Sequence, residues 1–219
     1  MPINLTLAAV GFVLIHRLIA GSSLRSRIVR RIGERSFQIA FSILSVVMTA
    51  WLVTSYLMVA PATIDPQAYG TAIIVKLAGA ISLYLIVAGL TTRNPTIVGM
   101  AETARRRDAV HGVIQLTRHP FMVGVALLSS AHLLVSHTVA DWLFFGTLAF
   151  VALSGIQSID AKRARTLGTD WDSFRQATSV VPGIAVLDGR QPLRLREIGL
   201  IRPIVAALLF AVSEVMHTL

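Results

Sequence analysis

The sequence contains no cysteine and few acidic residues. Its 219 residues include 11 Asp and Glu and 20 Lys and Arg, so the formal net charge is +9. The absence of cysteine excludes disulfides, thiolate-ligated metal or iron–sulfur sites and cysteine nucleophiles. Charged residues make up only 14 % of the chain and hydrophobic residues 54 %. This balance excludes a disordered chain, a coiled coil and an ordinary soluble domain.

Six apolar stretches are long enough, or nearly so, to cross a bilayer, which takes about 20 residues. We predict an all-α fold, a polytopic membrane helix bundle with about six transmembrane helices. No internal repeat divides these stretches, so residues 1–219 are predicted to form a single transmembrane domain. The predicted spans are Ile3–Ala20, Phe37–Ala60, Thr71–Leu90, Phe121–Ser136, Asp141–Ile159 and Ile201–His217.

The basic residues lie on alternate loops. All except Lys76 fall after the first, third and fifth spans or at the edges of those loops, and the loops Pro61–Gly70 and His137–Ala140 contain none. The positive-inside rule then predicts that both termini lie outside, in a multi-pass protein of the inner (cytoplasmic) membrane. The excess charge therefore indicates orientation in a lipid bilayer and no binding to nucleic acid.

The predicted inner loops carry local patterns of their own. Ala101–Gln115 is polar with interspersed apolar residues, which predicts an interfacial helix. Trp171 and Phe174 are typical of aromatic side chains at a membrane boundary. The pairs that end in Gly183 and Gly189 are turn signals.

Ionisable side chains inside the predicted spans are few, and such residues are functional candidates by default. His16 lies in the inner half of the first span. His132 lies well inside the fourth, where Ser129 and Ser136 share its helix face. Neutral imidazole binds iron, copper or zinc, and two histidines on facing helices can hold haem iron axially. A membrane histidine can equally serve only as a hydrogen-bonding residue, so the chemistry indicates a metal, a haem or no chemistry.

An ordered set of motifs runs nearly the whole length of the chain. Thr117-Arg118-His119-Pro120 is followed by Gly124 and Ala131-His132. The other pieces are His16 with Leu24-Arg25, Gly33-Glu34-Arg35, Asn94-Pro95-Thr96, Gly112, Ile159-Asp160 with Lys162-Arg163, Gly168 with Trp171, and Thr178-Ser179 with Val181-Pro182. With these motifs the chain resembles the NnrU family of integral membrane proteins and the related 15-cis-zeta-carotene isomerases.

The resemblance implies haem b as cofactor, with His16 and His132 as the iron ligands. It also implies redox-dependent cis–trans isomerisation of a polyene or carotenoid-like lipophilic substrate. Arg118, His119, Ser129 and Arg163 complete the expected cofactor-binding set; Ser129 stands where the isomerases carry a cysteine. Bacterial NnrU members are linked by name to nitrite and nitric oxide reduction, so a non-catalytic accessory role in denitrification is an alternative.

The second half also resembles the core of isoprenylcysteine and phospholipid methyltransferases, through Arg118-His119-Pro120, Ile159-Asp160, Gly168 and Trp171. That resemblance implies an S-adenosylmethionine-dependent membrane methyltransferase as a further alternative. The acidic pair of those enzymes is reduced here to Asp160. Either way, Arg118, His119, Asp160 and Arg163 are expected to form a pocket at the inner face, where the basic groups could pair with haem propionates.

Overall fold

The computed structural model of the chain is described over residues 3–20, 23–59, 69–136 and 138–218. Residues 61–68 and His137, in the loops predicted to lack basic residues, lie outside the described residues. The described residues form helices, turns and irregular segments without a β-strand, which confirms the all-α prediction. The helices are α1 (Ile3–Leu14), α2 (Ser23–Ile32), α3 (Glu34–Leu57), α4 (Tyr69–Thr91), α5 (Pro120–Leu134), α6 (Val139–Leu167), α7 (Thr169–Ala177), α8 (Ile184–Leu187), α9 (Leu195–Ile198) and α10 (Ile201–Thr218).

In the part of the chain that the structure describes, every predicted span is helical over most of its length, and several helices are long and apolar enough to cross a membrane. Within the described residues, Glu34–Leu57, Ile73–Thr91 and Val139–Leu167 meet this requirement. A fourth span results if the bent pair Ile3–Ile19 and Leu24–Ile32 is counted as one. The count of six spans and the orientation of the termini stay predictions.

The helices carry large apolar side chains on their outer surface. Ile43 is 61 % exposed, Val46 69 % and Leu134 73 %. In water this much exposed aliphatic surface would drive aggregation, whereas hydrocarbon is its natural solvent. The exposed side chains and the long apolar helices together establish a membrane-type protein.

The chain divides into two compact units. Unit 1 comprises Met1–Ala72 and Ser129–Val151, and unit 2 comprises Ile73–Leu128 and Ala152–Leu219. In unit 1, small and aromatic side chains of α1 pack against Leu52 of α3 and the first part of α6. The Tyr56 hydroxyl donates to Asp141 at 2.7 Å, and the Tyr56 ring stacks on Phe144. The prediction of a single domain over residues 1–219 stays a prediction.

Two segments that the sequence marks as inner loops contribute to the core of unit 2. Trp171 and Phe174 lie one helical turn apart on α7 and are buried, 0 % and 3 % exposed, in a cluster with Leu85 and Ile114. Both rings are therefore core residues, and their expected place at the membrane boundary stays a prediction. The interfacial helix predicted over Ala101–Gln115 was wrong, because the segment forms only two short 3-10 turns, Ala101–Arg105 and Gly112–Gln115.

Helices α4 and α5 approach each other at backbone distance in unit 2. A Cβ atom added to Gly89 would lie 2.4 Å from the backbone nitrogen of Phe121, and one added to Gly124 would lie 2.9 Å from the Ser82 carbonyl oxygen. Only glycine permits both contacts, as at other close helix crossings in membranes. As predicted, Pro120 opens α5, where its missing N–H removes no helical hydrogen bond.

Candidate functional site

The predicted site residues are distributed over both units. Unit 1 contains His16, Ser129 and His132, whereas unit 2 contains Arg118, His119 and Arg163. Two distinct environments therefore result: aromatic and apolar around the first group, and densely hydrogen-bonded around the second.

His16 lies in a π-helical turn, Ile15–Ala20, that continues α1. Backbone hydrogen bonds in such a turn reach the fifth residue instead of the fourth, and π-helical turns occur frequently at functional sites. The Nδ1 atom of His16 lies 2.8 Å from the carbonyl oxygen of Phe12. Because a carbonyl only accepts, the neutral ring carries its proton on Nδ1 and keeps a lone pair on Nε2. A metal-ligating histidine is held in this same way.

Aromatic rings surround the His16 imidazole. The ring of Phe12 lies 4.3 Å away between centroids, and that of Phe41 lies 5.6 Å away in an edge-on arrangement. These contacts orient the ring from two sides, and the His16 side chain is half-buried. Sequence reasoning found His16 but missed the π-helical turn, because no local residue pattern distinguishes it from a continuing α-helix.

His132 and Ser129 lie one turn apart on α5. The His132 ring stacks on Phe145 of α6, with the centroids 4.3 Å apart. Ser129 is fully buried, and its hydroxyl has no hydrogen-bond partner among the described residues. Ser136, which shares this face, donates its hydroxyl to the His132 carbonyl at 2.7 Å. The polar face predicted for α5 is therefore shorter than its sequence indicates.

Arg118 and His119 both bind the carboxylate of Asp160 in unit 2. The Arg118 Nη2 atom lies 2.7 Å from Asp160 Oδ2, and its Nε atom lies 3.1 Å from the same oxygen. His119 Nε2 lies 2.6 Å from Asp160 Oδ1. The side chains are 11 %, 0 % and 18 % exposed for Arg118, His119 and Asp160. The structure thus assembles three of the four residues predicted to form one pocket, but as a closed ion-pair cluster.

Arg163 supports this cluster through backbone contacts. Its Nε atom donates to the Pro95 carbonyl at 2.7 Å and its Nη2 atom to the Ile97 carbonyl at 3.2 Å. Between these carbonyls, Thr96 donates its hydroxyl to the Arg118 carbonyl at 3.2 Å. The Asn-Pro-Thr motif therefore joins Arg163 to Arg118 without direct contact between the two guanidinium groups.

A second segment holds the residues that precede His119. The Arg118 N–H donates to the Ser179 carbonyl at 2.9 Å, and the Thr117 hydroxyl donates to the Val180 carbonyl at 2.7 Å. Gly183, with a φ of +84°, donates its N–H to the Leu116 carbonyl at 2.9 Å. The predicted turn at Gly183 is confirmed. The backbone of the Thr178-Ser179 and Val181-Pro182 motif therefore positions the Arg-His-Pro segment.

His119 has one ring nitrogen left over. Since Asp160 accepts at Nε2, the neutral ring keeps a lone pair on Nδ1, and that atom is buried without a hydrogen-bond partner among the described residues. In contrast, both oxygens of the Asp160 carboxylate already accept hydrogen bonds, from Arg118 and from His119. The cluster therefore has little remaining capacity to bind a ligand.

Unit 2 also has an open cavity of about 350 Å³ beside α7. Arginines border it, but their charges are largely neutralised by neighbours: Arg106 pairs with Asp108, and Arg194 pairs with Glu197. The hydrogen bond from Arg106, with its positive charge, lowers the pKa of the Asp108 carboxyl below its ordinary value. The rim is thus largely a set of exposed ion pairs, with Arg107 beside them.

These observations define a helical, membrane-type protein with a histidine in a π-helical turn and a buried Arg-His-Asp cluster. The chain belongs to the NnrU family, since the family model described as NnrU protein matches residues 4–219. No solved structure matches the chain.

The chain is also similar to two curated plant proteins. The 15-cis-zeta-carotene isomerase, chloroplastic, of Arabidopsis thaliana is 39 % identical over 83 residues. The protein of the same name from Zea mays is 34 % identical over 83 residues. In both comparisons the match covers 37 % of this chain and 22 % of the relative. The similarity therefore involves only a minor part of each relative.

Proposed function

We propose that the chain is a membrane isomerase that uses haem b to convert a cis double bond of a lipophilic polyene to trans. Membership of the NnrU family and the partial similarity to two enzymes named as zeta-carotene isomerases support an isomerase-like role. The single observation that carries the cofactor assignment is the geometry of His16. Its Nδ1 atom is tied to the Phe12 carbonyl, which directs the Nε2 lone pair away from its own helix.

The residues of unit 1 fit a pair of imidazole ligands better than a larger ligand set. Among the described residues, no group of three or more His, Cys, Asp or Glu could hold a metal ion. A bis-histidine haem needs only two imidazoles, and His16 and His132 lie in the same unit. Ser129, buried one turn from His132, contributes a hydroxyl whose hydrogen bond is available to a bound group.

Ferrous haem, when bound, supplies electron density to a conjugated double bond and so lowers its barrier to rotation. The protein's own contribution is to bind, orient and exclude water. The Phe12 carbonyl fixes the tautomer of His16, and Phe12 and Phe41 hold its ring in position. Phe145 holds the His132 ring by stacking. These aromatic faces also offer dispersion contacts to a hydrocarbon chain and keep water from the reacting bond.

Arg118 and Arg163 have a supporting part in this proposal. Both guanidinium groups are engaged inside unit 2, by Asp160 and by backbone carbonyls. They therefore stabilise the Arg-His-Pro segment at the start of α5, the helix that carries Ser129 and His132. The same engagement gives the methyltransferase alternative no support, because Asp160 has both oxygens occupied. The accessory role in denitrification stays a prediction.

The absorption spectrum of the purified protein tests the cofactor assignment. Protein produced with haem supplied should show a Soret band and a bis-histidine spectrum when reduced. His16→Ala and His132→Ala should each reduce bound haem per chain by about tenfold or more, since even loss of an outer-shell partner costs 10–100-fold in metal affinity. His111→Ala is the matched control, because His111 has the same Nδ1-to-carbonyl contact, to Asp108, in an exposed loop of unit 2.

Two results would overturn this proposal. Wild-type protein without a Soret band refutes haem binding, and an unchanged bis-histidine spectrum in both histidine variants refutes the ligand assignment. Activity is measured separately, by chromatography of 15-cis-zeta-carotene incubated with reduced and oxidised protein. Conversion that is equal in both redox states, or absent from haem-loaded protein, refutes redox-dependent isomerisation of this substrate.

A further inference from the structure

A groove between α4 and α10 lies within unit 2, apart from all the predicted site residues. Its volume is about 240 Å³, which is below the range of about 300–1,000 Å³ typical of a pocket that encloses a whole small molecule. This size suits a segment of a longer molecule. The lining residues are Ala80, Tyr84, Pro203, Ala206, Ala207 and Phe210.

The two helices run antiparallel along this groove. The end of α4 contacts the start of α10, where Arg202 Nε donates to the Thr91 hydroxyl at 3.0 Å. Earlier in α4, a Cβ on Gly79 would lie 3.6 Å from the ring of Phe210, two turns into α10. Tyr84 and Thr91 are seven residues apart on one face, so Tyr84 lies about 10 Å along the groove from Thr91.

The Tyr84 hydroxyl is an unsatisfied polar group in an apolar setting. Its oxygen is buried, and it has no hydrogen-bond partner among the described residues. The rest of the lining is alanine, proline and phenylalanine, which offer carbon surfaces. A buried hydroxyl without a partner is unfavourable, so an occupant that places an acceptor oxygen beside Tyr84 is favoured over a pure hydrocarbon.

Arg202 supplies a positive charge at the Thr91 end of the groove. Among the described side chains it forms no salt bridge with a carboxylate, and its hydrogen bonds go to the Thr91 hydroxyl and carbonyl. The groove therefore combines an apolar channel, one hydrogen-bond donor and one cation at its end.

We infer that this groove binds one acyl chain of an anionic phospholipid. The acyl chain lies against Ala80 and Ala207. An ester carbonyl of the lipid accepts a hydrogen bond from the Tyr84 hydroxyl, and the phosphate pairs with Arg202. A zwitterionic lipid would place a second cation beside the arginine, and an unesterified polyene would leave both polar groups unpaired. Basic sites between membrane helices recognise anionic head groups in this manner. The inference is independent of the proposed isomerase function, since it involves neither His16 nor His132.

Native mass spectrometry of the purified protein in detergent, titrated with phosphatidylglycerol or phosphatidylcholine, tests the site. Wild type should retain phosphatidylglycerol preferentially. Arg202→Gln should weaken that binding about fivefold, which corresponds to about 1 kcal/mol for one basic residue near a head group. Tyr84→Phe should weaken it by a similar factor through loss of one hydrogen bond. Arg196→Gln, an exposed cation on α9, is the charge-matched control and should bind as wild type does.

Thermal unfolding separates lipid binding from a structural role of Tyr84. Without lipid, Tyr84→Phe should be at least as stable as wild type, because it removes a buried hydroxyl that has no partner. With phosphatidylglycerol, the gain in stability should be smaller in Tyr84→Phe than in wild type. Ala207→Leu should fill the groove and abolish the gain. Equal binding of both lipids by wild type, or an unchanged gain in Arg202→Gln, Tyr84→Phe and Ala207→Leu, would overturn the inference.

Discussion

Replacement of Asp160 by asparagine should destabilise unit 2 more than any exposed charge change. Asp160 is the shared acceptor of Arg118 and His119, through contacts of 2.7 and 2.6 Å. Asparagine keeps one oxygen and replaces the other by an NH₂ group, which cannot accept from either donor. The substitution leaves a guanidinium that is 11 % exposed without its counter-charge.

The structure sets the expected magnitude. Breaking a fully buried ion pair by removing one partner costs about 3–5 kcal/mol. The carboxylate of Asp160 is still 18 % exposed, so water compensates in part and the cost should lie at or just below the lower limit of that range, about 2–3 kcal/mol. In a chain of this size, about 2–4 °C of melting temperature is lost per kcal/mol, which predicts a decrease of roughly 4–12 °C.

Thermal unfolding in detergent micelles, followed by circular dichroism, measures this change. Asp172→Asn, an exposed carboxylate on α7, is the control and should change the midpoint little. The double variant Arg118→Met with Asp160→Leu should lose less stability than Asp160→Leu alone, because no unpaired guanidinium remains. An Asp160→Asn midpoint equal to that of Asp172→Asn would refute the reasoning.

Two further predictions concern packing and use the same unfolding assay. Gly89→Ala should lower stability by about 2–3 kcal/mol, because the new Cβ would lie 2.4 Å from the Phe121 backbone. Gly146→Ala, whose Cβ would have no neighbour within 4 Å, is the control and should be neutral or stabilising by up to about 1 kcal/mol. Equal unfolding midpoints of the two variants would contradict the close approach of α4 and α5. Trp171→Ala should cost about 3–5 kcal/mol, and Trp142→Ala, at a site 58 % exposed, should cost far less; a mild effect at Trp171 would show that it is not a core residue.

Hydrophobic length predicted the helical architecture well. The span predicted over Thr71–Leu90 is the helix Tyr69–Thr91, and that over Ile201–His217 is Ile201–Thr218. Membrane-type helices are predictable because hydrocarbon offers no hydrogen-bond partners. The backbone of each apolar run must therefore form its hydrogen bonds internally, as an α-helix does. Beyond the fifth predicted span, α6 continues through its basic residues to Leu167, as the sequence predicts for a basic helix end.

Polar segments between the long helices were predicted poorly. Trp171 and Phe174 have the same spacing whether they face a membrane boundary or a protein core, and only the tertiary structure distinguishes the two. Ser23–Ile32, which carries many of the arginines that follow the first predicted span, forms an amphipathic helix that hydrophobic length does not predict. Family motifs identified Arg118, His119 and Asp160 as neighbours, but they could not reveal that the carboxylate is saturated, because that depends on side-chain geometry.

The π-helical turn makes the placement of His16 depend on chain length as well as composition. Such a turn holds one residue more than an α-helical turn in the same position. Deleting a single residue, such as Ile19, would allow regular α-helical turns in this segment and so change the contacts that hold the His16 ring. Among related chains, a one-residue gap within 15–20 should therefore mark members whose histidine at this position no longer has the same partners.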